Sequence, residues 1–284
     1  MALPVYRAAQ PDFDPLAINA PLVANWLVAF LRDECIRRRK VERAVLGLSG
    51  GVDSAVVAYL CARAFGPANV LALRMPYKVS SQASLDDAQV VIDDLGLTAR
   101  TIPITSMVDG YVLQDATDLS SQRLGNICAR SRMVVLFDQG AAFGALPIGT
   151  GNKSERLFGY FTWHADDTPP INPLGDLFKM QVYALARELG VPSAIIDKPA
   201  SADLVAGQTD ESDFGISYAA ADKILFYLTA GYPKEKLVAL GFAPSEVELV
   251  WKRVASTHWK RHLPTVAMLS DSAIGEYYLR PVDY

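Results

Sequence analysis

The run Leu46-Gly47-Leu48-Ser49-Gly50-Gly51-Val52-Asp53-Ser54 constrains this 284-residue chain more than any other stretch, because it joins an apolar strand to a helix through two glycines. Val45, Leu46 and Leu48 read as the end of a buried parallel strand, and residues 55–60 continue as a helix. Gly50 and Gly51 lack Cβ atoms, so backbone N–H groups can converge on an oxyanion there, and the helix N-terminus adds unpaired donors and a positive dipole end. Ser49 and Ser54 add hydroxyl donors. Asp53 is badly placed for a bare phosphate and well placed for one bridged by a divalent cation. The plainer alternative is a glycine turn with a Ser or Asp helix cap. The string is neither a Gly-Lys-Ser/Thr phosphate loop nor a G-x-G-x-x-G fingerprint.

Strand candidates recur at 44–48, 70–75, 99–104 and 146–149, separated by helical stretches at 53–65, 81–95 and 120–143. This alternation implies a doubly wound α/β fold, a parallel sheet with helices on both faces, whose ligands bind beyond the carboxyl ends of the strands. A helix over 18–38 precedes it and ends in Arg37-Arg38-Arg39-Lys40, which reads as a basic helix C-terminus or as a phosphate patch. Helices dominate after Gly151, at 177–189, 216–228, 234–240 and 244–257. The organisation expected is one domain, with a helix at 15–40, a core at 41–200 and a lid loop plus helices at 201–284. The segment 199–214 has few apolar residues and carries Asp203, Gln208, Asp210 and Glu211, as an active-site lid or a plain surface loop would.

Gly149-Thr150-Gly151-Asn152-Lys153-Ser154-Glu155 is a second strand, glycine turn and helix start at the same sheet edge. Glu155 would add a second carboxylate for the cation at Asp53, and Thr150 a hydroxyl or carbonyl near the nucleotide; a capped helix start is the plainer reading. The formal charge of −4 argues against a general nucleic-acid surface. Cys35, Cys61 and Cys128 lack metal-site spacing and read as thiols of a reducing compartment. With no signal-like N-terminus or membrane-length apolar run, a cytoplasmic location is expected.

The Ser49–Ser54 string resembles the Ser-Gly-Gly-x-Asp-Ser loop of the N-type ATP pyrophosphatases. Further matches, at residues 125–133, 149–155, 159–162, 179–182, 198–204 and 208–211, make the chain similar to the ammonia-dependent NAD synthetases. The resemblance implies an adenine nucleotide alpha hydrolase-like fold and ATP-dependent amidation of deamido-NAD by ammonia, through an acyl adenylate that releases AMP and pyrophosphate. It implies ATP contacts at Gly47, Leu48, Ser49, Gly50, Gly51, Val52, Asp53, Ser54, Thr150, Lys179 and Ser201, and Mg²⁺ on Asp53 and Glu155. No side-chain nucleophile is needed; Lys179, Asp53 and Glu155 act electrostatically. Arg130 falls on a position that binds the dinucleotide, and family members are homodimers, with the helix over 120–143 as a candidate element.

The chain departs from the family pattern where the substrate sits. Trp163 replaces a substrate-contacting lysine, Pro170 aligns with an aspartate, and Trp259-Lys260-Arg261-His262 stands for His-Lys-Arg-Arg. Trp163, Asp166 and Lys260 are expected to rebuild the deamidated-nucleotide pocket, although Trp163 could equally fill core. An amidating ligase for nicotinate mononucleotide and a catalytically silent ATP-binding homologue stay open as alternatives, as does a separate glutaminase partner supplying ammonia.

Overall fold

The structure, a computed structural model, describes residues 14–115, 119–201, 209–262, 266, 267 and 269. Helix α1 (Ala20–Leu31) passes into a π-helical turn (Arg32–Arg38) before β1 (Ala44–Gly47), α2 (Val52–Phe65), β2 (Val70–Arg74), α3 (Gln82–Leu95), β3 (Thr98–Thr101), α4 (Thr105–Asp115), α5 (Ser121–Phe143) and β4 (Leu146–Pro147). There follow α6 (Lys153–Phe158), α7 (Lys179–Leu189), α8 (Ser193–Ile196), α9 (Asp210–Phe214), α10 (Tyr218–Thr229), α11 (Lys234–Ala239) and α12 (Pro244–Thr257).

The four strands pair in parallel in the order β3-β2-β1-β4. Alternation decides which helices cover them. Ala44, Leu46, Val70 and Ala72 face a core shared with α1, α2, α3 and α7, whereas Val45, Leu71 and Leu73 face α4 and α5. On that second face Gly140 lets α5 come close, since a Cβ there would lie 2.9 Å from Val45 Cγ1. Pro147 fits β4 because this strand lies at the edge of the four-stranded sheet, where its missing N–H breaks no ladder bond to β1. A separate apolar cluster of Phe158, Phe178, Phe214, Tyr218, Ile224, Leu237 and Val250 binds α6 to α9, α10, α11 and α12.

The chain leaves β1 towards β2 on one side and returns to β4 on the other. The crevice beyond the ends of β1 and β4 is therefore the topological switch point, where doubly wound sheets place ligands. Residues 49–51 and 149–151 both follow these strands.

The parallel α/β expectation holds, with local differences. Strand β3 lies earlier than the apolar run at 99–104 suggested, because Thr98–Thr101 pairs with β2 while remaining mostly exposed. Helices α4, α8 and α9 were not expected; α9 falls in the segment read as a loop, where Thr209 caps it and Phe214 is buried. The Arg37–Lys40 cluster is a salt-bridged helix end: Arg37 and Arg38 pair with Asp33, Arg39 with Glu34, and Lys40 Nζ donates to the Arg37 carbonyl. All three cysteines are buried and free. No helix among the described residues is long and apolar enough to cross a membrane.

Candidate active site

The first glycine loop is shaped by protein contacts as much as by an open cradle. Gly50 has φ of 83°, and a Cβ there would lie 2.2 Å from the Ser84 carbonyl oxygen of α3, so glycine is required by backbone approach. At Gly51 a Cβ would meet only Ser49 Oγ, at 3.4 Å. Gly51 is also the N-cap of α2 and has no side chain to satisfy the first-turn N–H groups, which leaves that turn to a ligand or water. The Ser54 hydroxyl, expected as a ligand donor, instead donates to the Gly51 carbonyl (3.0 Å) and accepts the Ser49 N–H (3.2 Å). Leu48 and Val52 are core residues, so only their backbone can be offered to a nucleotide.

The second glycine loop is held by Asn172, whose Nδ2 donates to the Gly151 carbonyl at 2.8 Å. Thr150 is half-buried within this loop, between β4 and α6. Asn152 caps α6 in a reciprocal box with Glu155 (2.9 and 3.2 Å) and also donates Nδ2–H to Asp53 Oδ1 at 2.9 Å. One side chain thus ties both loops together across the crevice.

Lys179 enters from the first residue of α7, only 2% exposed, and its ammonium bonds Asp53 Oδ2 while Glu155 Oε1 lies 3.6 Å away. Asp53 and Glu155, expected as exposed ligands, are therefore mostly buried and share one lysine. Burial opposes the lysine's charge, but the two carboxylates outweigh it and keep the ammonium protonated. Burial, then the charge of Asp53, pushes the Glu155 carboxyl up to about 8. The rings of Tyr218 and Tyr183 flank the ammonium at 5.3 and 5.9 Å. Tyr218 donates its hydroxyl to Asp210 Oδ2 at 2.9 Å, and buried Asp210 Oδ1 has no hydrogen-bond partner among the described residues. Both tyrosines, with Met180, Ala200, Thr209 and Glu211, line a cavity of about 370 Å³. Ser201 is exposed just beyond Ala200. Asp203 and Gln208 lie outside the described residues.

No group of three or more His, Cys, Asp or Glu side chains among the described residues is arranged for a metal. The donor set nevertheless fits Mg²⁺ of the nucleotide-bound kind, which takes one or two carboxylates and fills its shell with phosphate oxygens and water. Two oxygen donors, Asp53 and Glu155, converge beside an open helix N-terminus, and their four oxygens offer more lone pairs than Lys179 and Asn152 use.

The residues expected on the second substrate form another cluster, around the turn after α6. Arg130 Nη2 on α5 donates to the Trp163 carbonyl (3.1 Å), the Thr162 N–H donates to Asp166 Oδ1 (2.8 Å), and the Trp163 ring meets Trp259 edge-on with centroids 5.3 Å apart. Trp163 is half-buried, at the margin between core and solvent. The Lys260 ammonium, expected to meet a substrate phosphate, donates to the carbonyls of Gly159 and Phe161. In this state it braces the turn. The sequence reading named Asp210 only as a lid residue and did not place Asn152, Tyr218 or Asp222 among the site residues. Asp222 had a usable signal: with Tyr218, Ala221 and Leu225 it lies on the buried stripe of α10, where a carboxylate needs partners.

Comparison with known proteins agrees with this arrangement. The profile of the family described as NAD synthase matches residues 23–264. The NH(3)-dependent NAD(+) synthetase of Chlorobaculum parvum is 46% identical over 261 residues, spanning 92% of this chain and 94% of the relative. Among solved structures, the NH3-dependent NAD synthetase of Campylobacter jejuni, in complex with the nitrate ion, superposes with a TM-score of 0.76 at 34% identity, covering 88% of this chain and all of that one. The NMN synthetase of Francisella tularensis superposes with a TM-score of 0.79 at 30% identity, covering 88% and 99%. A phosphate-type loop at the switch point of a parallel sheet, a profile match over most of the chain and relatives above 40% identity lead to one conclusion: this chain is a member of the NAD synthase family.

Proposed function

We propose that this protein is an ammonia-dependent NAD synthetase that adenylylates the nicotinate carboxylate of deamido-NAD with ATP and replaces AMP by ammonia, releasing pyrophosphate. The observation that carries the reading is the Lys179 ammonium held between Asp53 and Glu155 beside the uncapped N-terminus of α2. The substrate carboxylate attacks the α-phosphorus, so no protein nucleophile is needed, and charge accumulates on the departing pyrophosphate. Backbone donors at Gly50 and Gly51 and the Lys179 ammonium offset that charge without reorganising. Mg²⁺ on Asp53 and Glu155 would supply further neutralisation of the phosphates. On nucleotide binding, Lys179 would exchange part of its carboxylate pairing for phosphate oxygens. Ammonia then attacks the acyl carbon of the adenylate, and the C–O bond to AMP breaks.

Arg130, Trp163, Asp166 and Lys260 form the wall assigned to the deamidated substrate, with the Trp163 ring as a flat face for the pyridine or base. A second reading, amidation of nicotinate mononucleotide, draws support from the likeness to the Francisella tularensis NMN synthetase and from Trp163 and Pro170 in place of the family's lysine and aspartate. The intact Asp53, Glu155 and Lys179 argue against a silent homologue. Val134 and Phe137 on α5 are 60% and 42% exposed, which supports a homodimer through this helix. The buried free thiols suit a reducing cytoplasm, and ammonia is drawn from ammonium or delivered by a separate glutaminase. The test is ammonium-dependent release of pyrophosphate with each of the two nicotinate nucleotides. Turnover of the dinucleotide at least tenfold above the mononucleotide is the expected result, and the reverse order moves the assignment to the second reading.

A further inference from the structure

Helix α7 begins at Lys179, and the residue at its N-cap is Phe178, which has no side-chain oxygen to cap the first turn; its carbonyl accepts the Gln181 N–H and leaves those of Lys179 and Met180. Those donors are satisfied from other elements. The Lys179 N–H donates to Ser154 Oγ on α6 at 2.9 Å, the Ser154 hydroxyl donates to Asp222 Oδ1 on α10, and the Met180 N–H donates to Asp222 Oδ2 at 2.9 Å. Both oxygens of one carboxylate are thereby used, and Asp222 and Ser154 are completely buried. Burial pushes the Asp222 carboxyl up to about 6, so this residue is held at a cost that an apolar side chain on the same stripe would not carry. Ser154 is also the neighbour of Glu155 on α6, and Glu155 faces the ammonium of Lys179 at 3.6 Å.

We propose that Asp222 is a positioning residue for Lys179: through Ser154 and the Met180 N–H it fixes the first turn of α7 against α6 and so sets the ammonium between Asp53 and Glu155. The inference rests on the reading that Lys179 meets the ATP phosphates. Its physical basis is leverage. The lysine side chain starts at the first helical residue, and a displacement of about 1 Å there carries the ammonium out of register with both carboxylates, an error that can cost about 100-fold in rate.

The test is a double-mutant cycle on the full chain with Asp222→Asn, Lys179→Gln and the double variant, reading kcat and the KM of each substrate by pyrophosphate release, alongside thermal unfolding. Asparagine keeps one acceptor oxygen and loses the other. Asp222→Asn is expected to lower kcat roughly 10- to 100-fold, to leave the KM of the nicotinate substrate within about threefold, and to lower kcat less than about twofold further once Lys179 is glutamine. An equal fall in both backgrounds, or an unchanged kcat, overturns the proposal and leaves Asp222 a fold residue. If Asp222→Asn does not accumulate folded, Ser154→Ala removes the bridge to the Lys179 N–H, and the same cycle with the same outcomes decides. A wild-type protein that turns over neither nucleotide refutes the functional reading, and the cycle read on ATP affinity by calorimetry then decides the positioning role: non-additive losses support it, additive ones overturn it.

Discussion

Replacing Glu155 by glutamine should stabilise this protein while abolishing its chemistry. Glu155 is held at about 8 in the folded chain against 4.5 as a free side chain, so at pH 7 it is mostly protonated when folded and ionised when unfolded. A carboxyl whose folded value is raised gives stability that is complete below its unfolded value and is lost as pH rises through its folded value. Between 4.5 and 7 that loss amounts to about 3 kcal/mol, reckoned at about 1.4 kcal/mol per pH step. Glutamine is neutral in both states and still accepts the Asn152 N–H through its carbonyl oxygen. Because Lys179 keeps its bond to Asp53, the expected gain for Glu155→Gln is about 1 to 3 kcal/mol at pH 7 in the presence of a chelator, growing as pH rises towards 8. Lys179→Met does the opposite. It strands the mostly buried Asp53 carboxylate and should lose about 3 to 5 kcal/mol. Denaturant unfolding gives the stabilities and a coupled pyrophosphate assay gives turnover, which should fall at least 100-fold in both variants. A Glu155→Gln protein less stable than the parent, or one keeping a tenth of its turnover, would refute the reasoning.

Trp163→Ala should raise the KM of the nicotinate substrate by about 5- to 150-fold, the equivalent of about 1 to 3 kcal/mol of stacking, and leave ATP affinity unchanged; loss of both affinities with a lowered unfolding temperature would return Trp163 to a packing role. Asp222, raised from 3.8 to about 6, should withdraw about 3 kcal/mol of stability as pH rises from 4 to above 6. Asp222→Asn should flatten that part of the stability profile, and an unchanged slope would contradict the assignment. Light scattering should give about twice the 30.9 kDa chain mass, and Val134→Glu with Phe137→Glu should reduce it to the monomer; a parent that is already monomeric removes the dimer.

Much of the fold was legible because its strands are apolar runs buried on both faces and its turns carry glycine. Strand β3 was misplaced since it is exposed and exists by pairing with β2, which hydrophobicity does not register. Helix α4 escaped notice because Gly110 and polar residues interrupt its pattern. In the site, the loops announced Asp53 and Glu155, and the resemblance pointed to Lys179. Their mutual pairing was not legible, since 126 residues separate Lys179 from Asp53. The same blindness hid Asp222, whose partners lie on two other helices, and made Lys260 read as a cation for substrate phosphate, since its carbonyl partners lie about 100 residues away in the chain.

The most direct test of the central claim is product analysis of the wild-type protein given ATP, Mg²⁺, ammonium and deamido-NAD. NAD, AMP and pyrophosphate should form in equal amounts, with no NAD and no more than about one pyrophosphate per active site when ammonium is left out. Formation of ADP and phosphate, or ATP binding with no pyrophosphate released from it in the presence of either nicotinate nucleotide, would contradict it.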